Sequence, residues 1–314
     1  MATAVTSGRQ RRPERPPIRT RMSNAWRRTD LRTAMIFLIP ATIGFVVFYL
    51  VPAIRGVYFS FTDYPVLAPP TWVGLDNYER LINDPLFWNA MGVTLYYVAI
   101  NIIVQTILAI GVAVLMQRLT RSILVRGAIL LPYFIANVIV ALVWFFMLDV
   151  QLGIVNVLLE RFGMDAQAFF GDPMLALPTI AFINVWRHLG YTALLLFAGM
   201  QMISPQLYEA AALDGAGPWR QFRSITLPLL RPVLALVLVV TVTGSFQIFD
   251  TVAVTTGGGP INATRVIYLD IYDLAFEQLD FGYASALSVV LFLVLLVVAL
   301  VQMRLMRAGD SDEG

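Results

Sequence analysis

Six long apolar stretches constrain this chain before anything else, at about residues 33–54, 89–116, 127–148, 175–199, 232–254 and 282–303. Roughly 20 apolar residues carry a helix across the hydrocarbon core of a bilayer, whereas a spanning strand needs only about 9–11. The stretches have helix length, and a helix satisfies its own backbone hydrogen bonds in lipid. Composition agrees: 58% of the 314 residues are hydrophobic and 13% charged, where a soluble domain is nearer half apolar and about a quarter charged. The sequence therefore predicts an all-α membrane protein with six transmembrane helices. The first stretch reads as a retained span containing Pro40, because a cleaved leader has a shorter apolar core. The pair Arg27-Arg28 reads as anchoring positive charge rather than as a twin-arginine signal.

Six spans put both termini on one side, and arginine decides which side. There is no lysine, so all 22 basic residues are arginine. Segments 1–32, 117–126, 200–231 and 304–314 carry 17 of them, and segments 55–88, 149–174 and 255–281 carry 4. Arg187 lies within a span. Cytoplasmic loops are the arginine-rich ones, which places both termini in the cytoplasm. Residues 1–31 read as a disordered cytoplasmic tail, 32–304 as the transmembrane domain, and 305–314 as a second cytoplasmic tail.

The missing residue types exclude whole classes of chemistry. With no cysteine and a single histidine, His188, disulfides, thiolate catalysis, cysteine-ligated metals and two-histidine zinc sites are absent. A nucleotide-binding phosphate loop needs its lysine, so Gly257-Gly258-Gly259-Pro260 is not one. The sequence supplies no catalytic or metal site. Apart from Asp250 near the end of its stretch, the spans hold no Asp or Glu, which counts against an ion-coupled secondary transporter. Such transporters often carry inverted repeats with broken helices, and neither is visible in the sequence.

The most informative cytoplasmic segment is 200–231. Ser204-Pro205 reads as a helix start, with Ser as N-cap and Pro at the first helical position. Ala210, Ala211 and Ala212 favour helix. Asp214-Gly215 ends it, since Gly tolerates the left-handed conformation of a C-terminal cap. Gly217-Pro218 turns the chain, and Trp219 to Thr226 forms a second short helix. Apolar residues recur at helical spacing: Leu207, Ala210, Ala211, then Trp219, Phe222, Ile225. Physics alone leaves two readings open, a helix laid into a partner's groove and one resting on lipid.

Glu209-Ala210-Ala211, Asp214-Gly215-Ala216, Phe222, Ile225 and Leu227-Pro228 together resemble the EAA loop of binding-protein-dependent ABC importer permeases, with gap-free spacing from Pro205 to Pro232. Tyr58-x-Ser60-Phe61-Thr62-Asp63 and Gly74-Leu75-Asp76-Asn77-Tyr78 resemble the first outer loop of the sugar-uptake branch, the maltose and glycerol-3-phosphate type. Arg126, Leu131-Pro132 and Trp144 resemble its third span, and Phe249-Asp250, Thr256 and Gly258-Gly259-Pro260 the end of its fifth. The chain has the plainer six-span form, without the extra N-terminal spans and large outer domain of the maltose-type permease. The resemblance implies a non-catalytic permease of a bacterial cytoplasmic membrane, moving a di- or oligosaccharide by alternating access; glycerol 3-phosphate or a glycerophosphodiester is the alternative solute. It implies a second homologous permease, an extracytoplasmic binding protein, and two ATPase subunits that hold the ATP and Mg. Glu209, Ala210, Ala211, Asp214, Gly215 and Ala216 would form the ATPase-coupling site, with Glu209 offering charge and Gly215 making the turn.

Polar side chains inside a bilayer are costly and usually face a bundle interior or a cavity. Gln247, Asn184, Arg187, Asn137, Asn101 and Tyr191 are the candidate solute pathway, with His188 beside them. Amides suit sugar hydroxyls because each both donates and accepts, and Trp186, Tyr191 and Phe246 can stack on sugar rings. Buried amides also join helices to one another. Arg187 can meet a phosphate, a carboxylate or backbone carbonyls, and Asp250 is placed near the outer interface.

Overall fold

The structure is a computed structural model that describes residues 29–119 and 122–310. The expected tail over residues 1–28 and the last four residues lie outside it. Helix α1 (Thr29–Phe45) continues through a π-helical turn (Val46–Leu50) into α2 (Val51–Phe59). Residues up to Gly56 form one compact unit and those from Val57 onward a second; the following description is of the second.

A short ribbon of β1 (Thr62–Asp63) and β2 (Thr71–Trp72) leads to α3 (Asp76–Ile82) and the long α4 (Pro85–Leu119). Next come α5 (Ile123–Phe134), α6 (Asn137–Met147), α7 (Ile154–Arg161) and α8 (Ala176–Gln201). The cytoplasmic candidate segment forms α9 (Pro205–Leu213), α10 (Pro218–Gln221), a π turn (Phe222–Thr226) and α11 (Leu227–Leu229). Then follow α12 (Arg231–Phe246), α13 (Asp250–Thr255), α14 (Ile267–Tyr272), another π turn (Asp273–Glu277) and α15 (Phe281–Asp310). Among the described residues, five helical stretches are long and apolar enough to cross a membrane, and the bent pair α5–α6 makes a sixth if it is one span.

Two expected spans are not continuous helices. In place of one helix over 127–148, α5 and α6 meet at an angle of 91°. Pro132 lies inside α5, where it removes a ladder donor and crowds the carbonyl four residues earlier. Ile135 and Ala136 then run extended before helix resumes at Asn137. The stretch 232–254 is interrupted between Phe246 and Asp250, just after Gly244-Ser245, a pair of residues at which helices commonly kink. Ser245 Oγ donates back to the Thr241 carbonyl (2.7 Å) and Thr243 Oγ1 to that of Val239 (2.9 Å), bonds that bend helices further. Broken helices, absent from the reading of the sequence, are thus part of the fold, and their absence no longer separates it from a secondary transporter.

Helix α8 is the centre of the packing, with α4 and α5 against it. Gly190 lets α5 come close: a Cβ there would sit 2.0 Å from the Ile129 carbonyl oxygen. The second halves of the broken helices, α6 and α13, pack on each other. One buried core joins α4, α8, α12, α14 and α15 around Tyr97, Ile180, Ile267, Tyr283 and Leu287, and another joins α4, α8 and α12 around Met116, Leu196, Met200 and Leu230.

The loop residues that carried the resemblance have plain structural work. Gly74 sits at φ +67°, a region that favours glycine. The buried Asn77 amide donates to the carbonyls of Ser60 (3.0 Å) and Thr62 (2.9 Å), and Ser60 Oγ meets the Tyr78 hydroxyl at 2.7 Å. Together they fasten the ribbon to α3.

Candidate functional site: a polar cavity at the helix breaks and an exposed cytoplasmic loop

A cavity of about 390 Å³ opens where α4, α8 and the two broken helices meet. Asn101, Asn137, Asn184, Arg187, Tyr191 and Gln247, the six residues singled out from the sequence, all line it, with His188 and Asp250. Asn101 Nδ2 donates to Ser245 Oγ (2.7 Å) and more weakly to Gln105 Oε1 (3.3 Å), and Gln105 Nε2 donates to Thr192 Oγ1 (2.8 Å). This network ties α4, α8 and α12 together along one wall. Asn184 Nδ2 donates to Thr251 Oγ1 (3.1 Å), tying α8 to α13. Some of these amides therefore join helices as well as line the cavity. The Oδ1 atoms of Asn101 and Asn137 are buried and accept no hydrogen bond, although buried polar atoms are nearly always paired.

Arg187 meets backbone, one of the three partners open to it on the sequence. Its Nε donates to the Ile135 carbonyl and its Nη2 to that of Tyr133, both at 3.2 Å. These carbonyls lie at the C-terminal end of α5, which the break leaves without intrahelical donors. Nη1 reaches His188 Nε2 at 3.0 Å. Arginine only donates, so Nε2 accepts and Nδ1 carries the proton that goes to the Asn184 carbonyl (2.9 Å). His188 is thereby a neutral imidazole fixed at both nitrogens.

Asp250 also lines the cavity. Asn137 Nδ2 donates to its Oδ2 at 3.2 Å, joining the first residues of α6 and α13. Of the proposed stacking residues only Tyr191 faces the cavity, stacked on Tyr133 with centroids 4.5 Å apart. Trp186 packs edge-on against Trp144, and Phe246 is buried. Gln105, Thr192 and Ser245 escaped the reading of the sequence. The spacing of Gln105 four residues after Asn101, one face of a helix, was the available signal.

The loop between α8 and α12 folds through its backbone. Gly215 has φ +75°. Ala216 N–H donates to the Ala211 carbonyl (2.8 Å) and Gly215 N–H to that of Ala212 (3.0 Å). That is the paired closure of a Schellman motif, with glycine at the left-handed position. Ser204 occupies the cap position of α9, but its side chain makes no cap bond; Leu207 N–H takes the Ser204 carbonyl instead. Glu209, Ala210, Asp214 and Gly215 are exposed, Ala211 and Ala216 partly so, and Leu213 and Trp219 stand out beside them. Tyr208 hydroxyl meets Thr226 Oγ1 at 3.0 Å and holds α9 against the π turn. Both residues line a smaller cavity of about 230 Å³ with Val114 and Gln117 of α4.

Outside the spans, Arg265 bridges Asp270 and Asp273 at 2.7 and 2.8 Å. Burial pushes both carboxyls above the ordinary range, and the guanidinium partly offsets it. Asp149 moves the other way, lowered by the amides of Leu152 and Gln151.

Residues 105–308 match the model of the family described as binding-protein-dependent transport system inner membrane component. The chain is 35% identical over 286 residues to a probable ABC transporter permease protein, YurN, of Bacillus subtilis (strain 168), covering 88% of this chain and 97% of that one. It is 32% identical to the trehalose/maltose transport system permease protein MalF of Thermococcus litoralis, covering 88% and 95%. It superposes with a TM-score of 0.81 on a chain of a bacterial ABC transporter involved in the import of the acidic polysaccharide alginate, at 26% identity, covering 92% of this chain and 99% of that chain. The helical architecture and these matches agree, and the chain belongs to the family of inner-membrane permease components of binding-protein-dependent ABC importers.

Proposed function

We propose that this permease takes up a sugar, of di- or oligosaccharide size, through the cavity at the helix breaks. The observation that carries this reading is the cavity itself: amides from α4, α6, α8 and the α12–α13 break converge there with a tyrosine face. Pockets with a few convergent polar groups are the usual sites for small polyfunctional solutes. Asn101, Asn137, Asn184 and Gln247 would exchange hydrogen bonds with hydroxyls, and Tyr191 would pack on a ring. Arg187 would act from behind, by holding the break in place. A binding protein would deliver the solute at the face carrying segments 55–88 and 255–281. The positive-inside distribution of arginine supports cytoplasmic termini.

Coupling would run through the exposed loop. Two ATPase subunits, carrying the ATP and Mg, would receive α9 in a groove, with Glu209 at their surface and Gly215 making the turn. A second, homologous permease would complete the pore. Closure of the ATPase pair would then move α9 and, through Tyr208 and Thr226, the base of α4 and α12.

A second reading is a phosphate- or carboxylate-bearing solute, favoured by the presence of Arg187 on the cavity and by the solved relative that imports an acidic polysaccharide. Purification from native membranes through a C-terminal tag tests the assignment. The expected result is an ATPase subunit and a second permease in stoichiometric amounts, and a binding protein that selects a sugar when screened against sugars and glycerol 3-phosphate. A lone chain that transports in liposomes without ATP would overturn it.

A further inference from the structure

The two charged side chains on the cavity are answered unequally: Arg187 has most of its donors engaged, whereas Asp250 has one oxygen unanswered. Three of Arg187's five N–H donors go to the Tyr133 and Ile135 carbonyls and to His188. Its charge sits at the negative end of α5 and beside the Tyr133 ring, 5.5 Å from the centroid. Asp250 is answered by one neutral amide, Asn137, on one oxygen only; among the described residues nothing else is within hydrogen-bonding distance of its carboxylate. The Oδ1 atoms of Asn101 and Asn137 also accept nothing.

We infer that Asp250, with one carboxylate oxygen unanswered on the cavity, makes this cavity select solutes rich in hydrogen-bond donors, neutral or amine-bearing polyols, and turn away phosphates and uronates. Hydroxyl and ammonium groups donate to that oxygen. A phosphate or carboxylate has only acceptors to offer and meets the Asp250 charge in a site of low dielectric. The inference rests on the cavity being the solute site, and it chooses between the two solute classes left open above. Asp250 is a specificity-determining residue in this account, and Arg187 a positioning residue.

The absence of cysteine makes the local field measurable without knowing the solute. Gln247 is exposed on the cavity, so a Gln247→Cys full-length chain in membranes can be modified with trimethylammonioethyl or sulfonatoethyl methanethiosulfonate. The ratio of the two rates cancels the thiolate fraction, which is common to both. Free 2-mercaptoethanol, a neutral thiol, normalises for the intrinsic rates of the reagents. The cationic reagent should be favoured on the order of tenfold, as focused fields in clefts commonly give, and Asp250→Asn should bring the ratio close to one. A normalised ratio at or below one, or one that Asp250→Asn leaves unchanged, overturns the inference. Failure of the cavity as solute site is seen separately: cells would still take up the sugar selected by the copurified binding protein after Gln247→Cys had fully reacted.

Discussion

Arg187 shows how one side chain can be legible as important while the choice among its partners stays open. An arginine inside a span draws attention because charge is costly there, but its partner is fixed by the break of another helix, which depends on Pro132 and on how α5 meets α8. The partners are two carbonyls that would otherwise lie without donors. Arg187→Gln should therefore destabilise the protein, by about 1 kcal/mol for each hydrogen bond lost. Arg187→Lys, which keeps the charge but lacks the planar fork, should recover part of the loss. Thermal unfolding of the purified chain in detergent measures both. Equal stability in all three proteins would show that the carbonyls do not depend on the guanidinium. Asp250 adds a second case: counting residues along an ideal helix gives its depth but not its partner, and the interruption after Phe246 sets it beside Asn137 on the cavity.

At the scale of the element, the cytoplasmic loop was readable because its shape is dictated locally. Pro at the first helical position, an alanine run and a glycine at the left-handed position specify α9 and its ending without reference to the rest of the chain. A substitution at Gly215 meets open space, since a Cβ there would have nothing within 4 Å, but φ +75° penalises any L side chain, and β-branched ones most. Gly215→Val should re-aim Ala216 and α10, leaving membrane insertion intact while abolishing ATP-driven uptake. Membrane abundance by immunoblot and uptake in whole cells separate the two effects; normal uptake by that variant would remove Gly215 from the coupling route. The spans were less legible. Apolar length locates a span but carries no information on whether the helix inside it is continuous. The signals for a break, Leu131-Pro132 and Gly244-Ser245, are also tolerated in unbroken membrane helices. What decides is tertiary: Arg187 waiting at one break, and the pairing of α6 with α13 at both.

For the whole molecule, the six-residue cavity list was legible because polar residues at mid-span depth have few places to go except inward, so depth alone brought Asn101, Asn137, Asn184 and Gln247 toward one level. Segments 55–88 and 255–281 carried no such constraint, and there the fold draws on ion pairs that helical spacing does not reveal. Arg265, Asp270 and Asp273 are the clearest case, packed beside the buried core that joins α14, α4 and α15. Burial raises both carboxyls above their unfolded values, more strongly than Arg265 lowers them. A raised acid contributes stability that is fully present below the unfolded value, about 4, and is lost as pH rises through the folded value. Arg265→Gln removes the only offset, raising both acids further and leaving two charges partly buried at neutral pH. Losing one partner of a buried pair costs about 3–5 kcal/mol. The difference in melting temperature between Arg265→Gln and the unaltered protein should be greatest at neutral pH and shrink steadily on acidification toward the ordinary carboxylate range, as protonation replaces the missing guanidinium. A difference independent of pH would mean that Arg265 serves by packing its stem rather than by answering these two acids.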